Sequence, residues 1–447
     1  MKIVIIGNGI AGTNAARHIR KLDPGHEILM LSDETLRPFS RTALMYVYMG
    51  HLKQANTELY EDWFWDKNRI QRLQARVLRV DTTAKKLHTN SGQSITYDKL
   101  IIATGSKPNR LGWPGQDLAG VQGLYHLQDL ADMERRSAGL RRAVVVGGGL
   151  IGIEMAEMFH SRHIPVTFLV REASFWGNVL PGEESAMVTR HIRAHGIDLR
   201  LGTELREILP DATGRAAAAV VTSGGERIEC GFVGLTVGVS PNIGFLENSG
   251  IETGRGVLVD EFLATSAPDV FAIGDCAQLR QPQPGRRPIE AIWYTGRMMG
   301  QTVARTVCGQ KTAYLPRLWF NSAKFFDIEY QVYGDVPSQT PHGATSLFWE
   351  HPGGQKSVRV NFDTASGAVH GFNLMGIRYR HEVCERWILD GAHIETVLEN
   401  LSLANFDPEF FEQHEAALLV RYNQLTGRQL APKSSRSLDR VRAFLRL

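Results

Sequence analysis

Two glycine-rich fingerprints about 140 residues apart constrain this chain more than any other feature. The first is Ile3-Val4-Ile5-Ile6-Gly7-Asn8-Gly9-Ile10-Ala11-Gly12, and the second is Ala143-Val144-Val145-Val146-Gly147-Gly148-Gly149-Leu150-Ile151-Gly152. Each follows a β-branched run and opens an amphipathic pattern, carried by Ala15, Ala16 and Ile19 in one copy and by Ile153, Met155, Ala156 and Phe159 in the other. In such a strand–turn–helix unit the first glycine makes the turn. The second lets a pyrophosphate approach the backbone, and the third lets helix and strand pack closely. The free N–H groups of the helix start then face the phosphates. Two such units imply two dinucleotides in one chain, an arrangement suited to passing electrons between them.

At 447 residues the chain has room for about three domains. No apolar run approaches the ~20 residues of a membrane span. Met1-Lys2 lead directly into a core strand rather than a signal peptide, so a cytoplasmic location is expected. Cys230, Cys276, Cys308 and Cys384 are widely spaced. That spacing offers no disulfide framework, zinc ribbon or iron–sulfur pattern, and no metal site is expected. A net charge of +3 carries no nucleic-acid signature. The C-terminus is locally basic, with Arg421, Arg428, Lys433, Arg436, Arg440, Arg442 and Arg446 against Asp439. This is either a docking surface for an acidic partner or a solvated terminal helix.

The expected fold class is α/β: two Rossmann-like dinucleotide-binding domains, the second inserted into the first, followed by a C-terminal α+β domain. Residues 1–113 and 240–319 form the first domain, 114–239 the second and 320–447 the third. Residues 77–81 and 86–88 pattern as a hairpin, with Asn90-Ser91-Gly92 as a turn, and the Pro/Gly-rich 108–116 as a hinge. Trp63-Phe64-Trp65 suggests core or a cofactor wall. In the third domain 345–349, 357–362 and 368–374 alternate as antiparallel strands. Residues 381–388, 394–403 and 408–425 pattern as helices, with Asp407-Pro408-Glu409 as a helix start.

The order Gly7-x-Gly9-x-x-Gly12, Ala103-Thr104-Gly105, Gly147-x-Gly149-x-x-Gly152-x-Glu154, Gly238 and Gly274-Asp275 resembles the FAD-dependent pyridine nucleotide-disulfide oxidoreductase superfamily. Within it the chain is similar to the rubredoxin, ferredoxin and nitrite reductase branch over roughly residues 1–310. The resemblance implies FAD in the discontinuous domain and NAD(P)H in the inserted one. By position it assigns Gly7, Gly9, Ile10, Ala11 and Gly12 to the FAD pyrophosphate, and Asp33 to the adenosine ribose, with Ser32 and Glu34 as alternative registers. Val77 falls at the adenine, Ala103, Thr104 and Gly105 beside the flavin, and Gly274-Asp275 at the ribityl chain. Ile292 and Trp293 fall at the pyrimidine end. On the nicotinamide side it implies Gly147, Gly149, Leu150, Ile151, Gly152, Glu154 and Gly238.

Relatives that reduce disulfides or peroxides carry a cysteine after the second strand. This chain has none before residue 230, and Arg37-Pro38-Phe39-Ser40-Arg41 instead resembles the carrier-protein reductases. Without a thiol, reduced flavin must deliver its electrons outward. Arg41 either favours anionic reduced flavin electrostatically or makes a phosphate or surface contact. Tyr46 stands where ferredoxin reductases carry a lysine, although Glu290 fits that lysine's glutamate. Cys276 is expected to be a packing residue. At the tip of the strand 166–170, Arg171 favours the 2′-phosphate of NADPH, which is the expected donor, although the adjacent Glu172 favours the 2′-hydroxyl of NADH.

The expected activity is hydride transfer from NAD(P)H to FAD, then single-electron delivery to a ferredoxin- or rubredoxin-type carrier, in a homodimer or larger complex. Arg41 and Glu154 are the candidates nearest the chemistry. Two other readings are an NADH oxidase or disulfide reductase lacking the usual cysteine, and a flavoprotein scaffold or redox-sensing interaction protein.

Overall fold

A computed structural model describes residues 1–407 and 410–433. The first fingerprint begins a parallel sheet. Strand β1 (Lys2–Ile6) leads into helix α1 (Ile10–Leu22), then β2 (Glu27–Ser32), β3 (Ile70–Gln74) and β4 (Lys99–Ile102). The chain then leaves this sheet to build a second one. The second sheet comprises β5 (Val121–Gln122), β6 (Ala143–Val146), β7 (Val166–Val170), β8 (Asp198–Leu201) and β9 (Phe232–Leu235). Its helices are α2 (Leu127–Ser137), α3 (Leu150–Ser161) and α4 (Gly182–Ala194). The chain returns to the first sheet as β10 (Val270–Ala272), followed by helix α5 (Trp293–Val307).

Both sheets are wholly parallel, in the orders β10-β4-β1-β2-β3 and β8-β7-β6-β9-β5. Helices cover both faces of such a sheet, so its central strands are continuously apolar rather than alternating. Ile3, Val4 and Ile5, and Ala143, Val144 and Val145, are fully buried. The two crossings between the sheets run side by side, Ser106–Pro108 pairing antiparallel with Val239–Pro241. These segments abut the expected hinge.

The expected hairpin forms between Val77–Asp81 and Lys86–Thr89, and Gly92 takes φ +78° in the following turn. The aromatic triplet divides. Trp65 is core, Trp63 is exposed, and neither lines the cavity beside the first glycine turn, which corrects the wall alternative.

The third region is a five-stranded antiparallel sheet of β11 (Phe320–Phe325), β12 (Ile328–Gly334), β13 (Ala344–Glu350), β14 (Ser357–Asp363) and β15 (Val369–Met375). Its order is β11-β12-β15-β14-β13. The first two strands are not among the expected ones, although β12 alternates as Ile328-Glu329-Tyr330-Gln331-Val332. β11 is partly exposed on both faces and lacks a clean two-residue alternation. Helices α6 (His381–Leu389), α7 (Ile394–Glu399) and α8 (Glu415–Thr426) follow. The expected 394–403 helix ends early and continues as a 3-10 turn at Leu401–Leu403. The last helix starts at Glu415, later than expected, and Pro408-Glu409 lie outside the described residues.

The third region shares a core with the inserted sheet, since Phe325, Phe326, Ile328 and Tyr330 pack in one cluster with Phe159, Phe168 and Phe175. Arg359 of β14 is buried and donates to Glu184 of α4 from Nε at 2.7 Å and from Nη2 at 2.8 Å. A buried charge is tolerated only when it is paired in this way.

Candidate functional site

The two glycine turns are built alike. Gly7 and Gly147 take φ +108° and +110°, the region closed to most side chains. A Cβ on Gly7 would run into the Ala103 carbonyl, and one on Gly147 would lie 2.5 Å from the Thr236 carbonyl. Each turn therefore leans on the neighbouring strand's exit. A Cβ on Gly12 or Gly152 would meet the Gly7 or Gly147 carbonyl, so these glycines serve helix–strand packing and do not line the cavity. A Cβ on Gly9 or Gly149 would have nothing within 4 Å, and both stand at the helix N-caps. Neither helix start has a capping side chain or an acid in its first turn. Both present unpaired N–H donors and a positive dipole end, as a pyrophosphate requires.

A cavity of about 720 Å³ lies against the first turn. Its wall includes Gly7, Gly9, Ile10 and Ala11, then Asp33, Arg41 and Val77, then Ala103, Thr104, Gly105, Gly274, Asp275 and Trp293. Leu150, Ile151 and Glu154 of the second fingerprint also reach it. The site thus spans both nucleotide folds. Ile292 caps α5 and does not line the cavity; its neighbours Ala291 and Trp293 do.

Charge in the cavity is arranged around two carboxylates. Burial pushes the Asp275 carboxyl up, opposed by a 3.1 Å hydrogen bond from the Ser106 hydroxyl and by the Arg41 charge. A buried acid with few donors suits sugar or ribityl hydroxyls. Burial would likewise raise Glu34, but His126, Arg41 and the Leu127 N–H together hold it at about 2. Arg41 contacts Glu34 at 2.7 and 3.3 Å, donates to the Tyr125 carbonyl, and lies over the Tyr125 ring at 4.2 Å. Glu34 is therefore committed to Arg41 and His126, which leaves exposed Asp33 as the carboxylate free to meet a ribose. Arg41 is also largely neutralised, so it positions the wall more than it projects charge.

The sequence model of the Pyridine nucleotide-disulphide oxidoreductase family matches residues 1–304. The chain belongs to this family. It is 29% identical to the rubredoxin-NAD(+) reductase of Ectopseudomonas oleovorans over 71% of this chain and 83% of that one. It is 32% identical to the terpredoxin reductase of a Pseudomonas species, covering 75% and 82% of the two chains. The NAD-dependent persulfide reductase of A. fulgidus has the same fold, with a TM-score of 0.83 at 22% identity over 96% of this chain and 84% of that one. The chain is an FAD-dependent NAD(P)H oxidoreductase. The uncapped α1 start, the hydroxyl-seeking Asp275 and the long cavity fit FAD.

The second glycine fold meets the cavity at Leu150, Ile151 and Glu154. Burial first, and then the nearby Glu157 charge, raise the Glu154 carboxyl to about 7, while Lys324 opposes them. Lys324 arrives from β11 and pairs with Glu157 at 2.8 Å. Gly147, Gly149, Gly152, Arg171 and Gly238 lie outside the cavity wall. Arg171 is exposed at the strand tip and donates to Glu172 at 3.0 Å. Val170, just before it, packs on Gly148, which keeps the tip beside the glycine turn.

No cysteine lines the cavity among the described residues. Cys276 is buried, its thiol within 3.3 Å of the Ile273 carbonyl, and burial pushes its pKa up. Glu290 is held bidentately by Arg286 at 2.6 Å, away from the wall.

Sequence reasoning misses Tyr125, His126, Ser106 and Lys324. None sits in a motif, and each acts through contacts across a large sequence separation. It reaches Glu34 only as an alternative ribose ligand, although the i,i+7 spacing to Arg41 is visible in the sequence.

Proposed function

We propose that this protein takes reducing equivalents from a nicotinamide nucleotide and delivers them singly to a ferredoxin- or rubredoxin-type carrier protein. The supporting observation is the wall residue Arg41, fixed by Glu34, in a cavity without a thiol. Bound FAD and NAD(P)H would supply hydride transfer and the split into single electrons. The chain's own part is placement. Gly9 and the α1 start hold the pyrophosphate, Asp33 the ribose, Asp275 the ribityl hydroxyls, and Glu154 faces the nicotinamide.

Residues 1–113 and 240–319 are assigned to FAD, 114–239 to the nicotinamide nucleotide and 320–447 to an interface role, including a homodimer. NADH is the preferred donor: Glu172 offsets Arg171 at the adenosine end, and relatives are named for NAD(+). Trp293 lines the cavity, is partly exposed, and has Arg297 above it at 5.8 Å, so this edge is assigned to the carrier.

The test is oxidation of NADH and NADPH with a panel of ferredoxins, rubredoxins, quinones and disulfides, followed by stopped flow. Fast carrier reduction with slow disulfide reduction is expected. A long-wavelength thiolate-to-flavin band would overturn the reading. Negligible turnover with every acceptor, alongside tight partner binding, would favour a scaffold role.

A further inference from the structure

Away from the cofactor cavity, three ligating side chains from two different sheets' elements converge. His191 and His195 stand one turn apart at the end of α4, and Asp327 lies in the two-residue turn between β11 and β12. His191 Nε2 contacts Asp327 Oδ1, and His195 Nε2 is 3.7 Å from the same oxygen. The three ligand atoms all lie within 4.8 Å of one another.

The tautomer of His195 makes this convergence informative. Its Nδ1 is 2.9 Å from the His191 carbonyl oxygen, which also accepts the His195 backbone N–H at 3.2 Å. Only an N–H can make that contact, so the neutral ring carries its proton on Nδ1 and a lone pair on Nε2. That lone pair lies 3.7 Å from a carboxylate oxygen, and either a second ring proton or a metal ion between them satisfies both acceptors. The carbonyl behind His195 also acts as the outer partner that commonly orients a metal-bound imidazole.

The turn itself is costly to build. Phe326 has φ +56°, a conformation that glycine normally supplies in two-residue hairpin turns. Its ring stacks on His195 at 4.2 Å and 20°. The strained turn thus both supports the imidazole and presents the carboxylate to the helix. The His191 side chain is 5% exposed and that of Asp327 63% exposed, which gives three protein ligands with an open position toward solvent.

We propose that His191, His195 and Asp327 bind a divalent first-row transition ion such as Zn²⁺, clasping the inserted domain to the C-terminal sheet. Two imidazoles at i,i+4 and one carboxylate form a donor set suited to Zn²⁺, Co²⁺ or Ni²⁺. Zinc–nitrogen bonds of about 2.0–2.1 Å place tetrahedral ligands roughly 3.3 Å apart, so ion uptake requires the Asp327 carboxylate and the imidazoles to adjust from their present spacing, which is within 4.8 Å. The expectation of no metal rests on cysteine spacing, which takes no account of these histidines.

The test uses the FAD-loaded, tag-free protein after chelator treatment and dialysis, titrated with ZnCl₂ by calorimetry at about pH 7.5, where neutral imidazole is available as a ligand. One ion per chain is expected, with a rise in melting temperature. Asp327→Asn and His195→Gln should each weaken uptake at least tenfold while the flavin spectrum is unchanged. His191 is buried, so it is left intact, and the exposed Asp327 carries the test if His195→Gln fails to fold. The Co²⁺-loaded protein should show visible d–d bands that Asp327→Asn removes. No saturable uptake, or uptake unaffected by Asp327→Asn, would overturn the proposal and leave a His–Asp hydrogen bond alone.

Discussion

The Arg41 guanidinium grips the Glu34 carboxylate with two nitrogens, at 2.7 and 3.3 Å, from opposite sides of the loop that follows β2. Glu34 also accepts the Leu127 N–H at 2.7 Å, so the pair ties the first nucleotide fold to the start of α2 in the second. Arg41→Ala strands a buried carboxylate and should cost about 3–5 kcal/mol, read as lost FAD content and a lower melting temperature. The double variant Arg41→Gln with Glu34→Gln should be milder than Arg41→Ala. Equal loss in both would show that the pairing is not what matters.

The same pair sets an acid limit. The Glu34 carboxyl titrates near 2 in the fold, against 4.5 for an ordinary glutamate. Its stabilisation is therefore complete above the unfolded value and lost as pH falls from 4.5 to about 2. That difference amounts to about 3 kcal/mol. His126 is shifted upward by its hydrogen bond to Glu34, so its contribution is full at low pH and lost as pH rises past its raised value. Denaturant midpoints across the acid range should slope in the wild type and flatten in Glu34→Gln.

Glu154 should give a pH step near neutrality. Its carboxyl is raised to about 7, so the charged form appears as pH passes that value. A carboxylate there favours the cationic oxidised nicotinamide over the neutral reduced one. The product inhibition constant of the oxidised nucleotide should tighten severalfold from about pH 6 to about pH 8, and Glu154→Gln should show no step. A step that survives in the variant would reassign it to another group.

The glycines should separate into two classes. Gly9 and Gly149 have extended backbone and open space, so Gly9→Ala should fold but retain less FAD, and Gly149→Ala should keep FAD and raise the KM for the nicotinamide nucleotide. Gly12→Ala and Gly152→Ala would collide with backbone carbonyls and should lower expression and melting temperature instead. Identical phenotypes across the four would contradict this division.

Nucleotide preference should follow the tip of β7. Removing the partner with Glu172→Gln frees Arg171 and should lower the KM for NADPH relative to NADH by roughly tenfold, about 1.4 kcal/mol. Arg171→Ala should move the ratio the other way. Unchanged ratios in both variants would place selection elsewhere.

Two residues of the basic C-terminus are paired within the fold. Arg428 pairs with Glu395 at 3.2 Å and Lys433 with Glu399 at 2.6 Å. Arg436, Arg440, Arg442 and Arg446 lie outside the described residues. Truncation after Lys433 should weaken carrier reduction, most at low salt, and leave dye reduction intact. Equal loss of both activities would rule out a docking role.

Local pattern and long-range contact account for what is legible in the sequence. Gly7, Gly9, Gly147 and Gly149 declare themselves because backbone sterics and phosphate approach restrict those turns to glycine within a short stretch of chain. Asp275 follows from the short apolar strand before it. The Arg41–Glu34 pair is hidden because its meaning depends on Tyr125, His126 and Leu127, brought over by a different sheet. β11 is hidden because it is partly exposed on both faces and so lacks the polar–apolar alternation of a half-solvated strand. His191 and His195 are separated from Asp327 by more than a hundred residues, and only the hairpin at Phe326 joins them.

Lys324 belongs to the C-terminal sheet, yet its ammonium ends against Glu157, one turn along α3 from Glu154. The electrostatic setting of Glu154 is thus completed by a strand whose sheet supplies none of the cavity wall among the described residues. A partner that pries that sheet from α3 would not need to touch either nucleotide to be felt. Withdrawing the ammonium would push the Glu154 titration upward, so loosening the last sheet would be read out as a change in acidity.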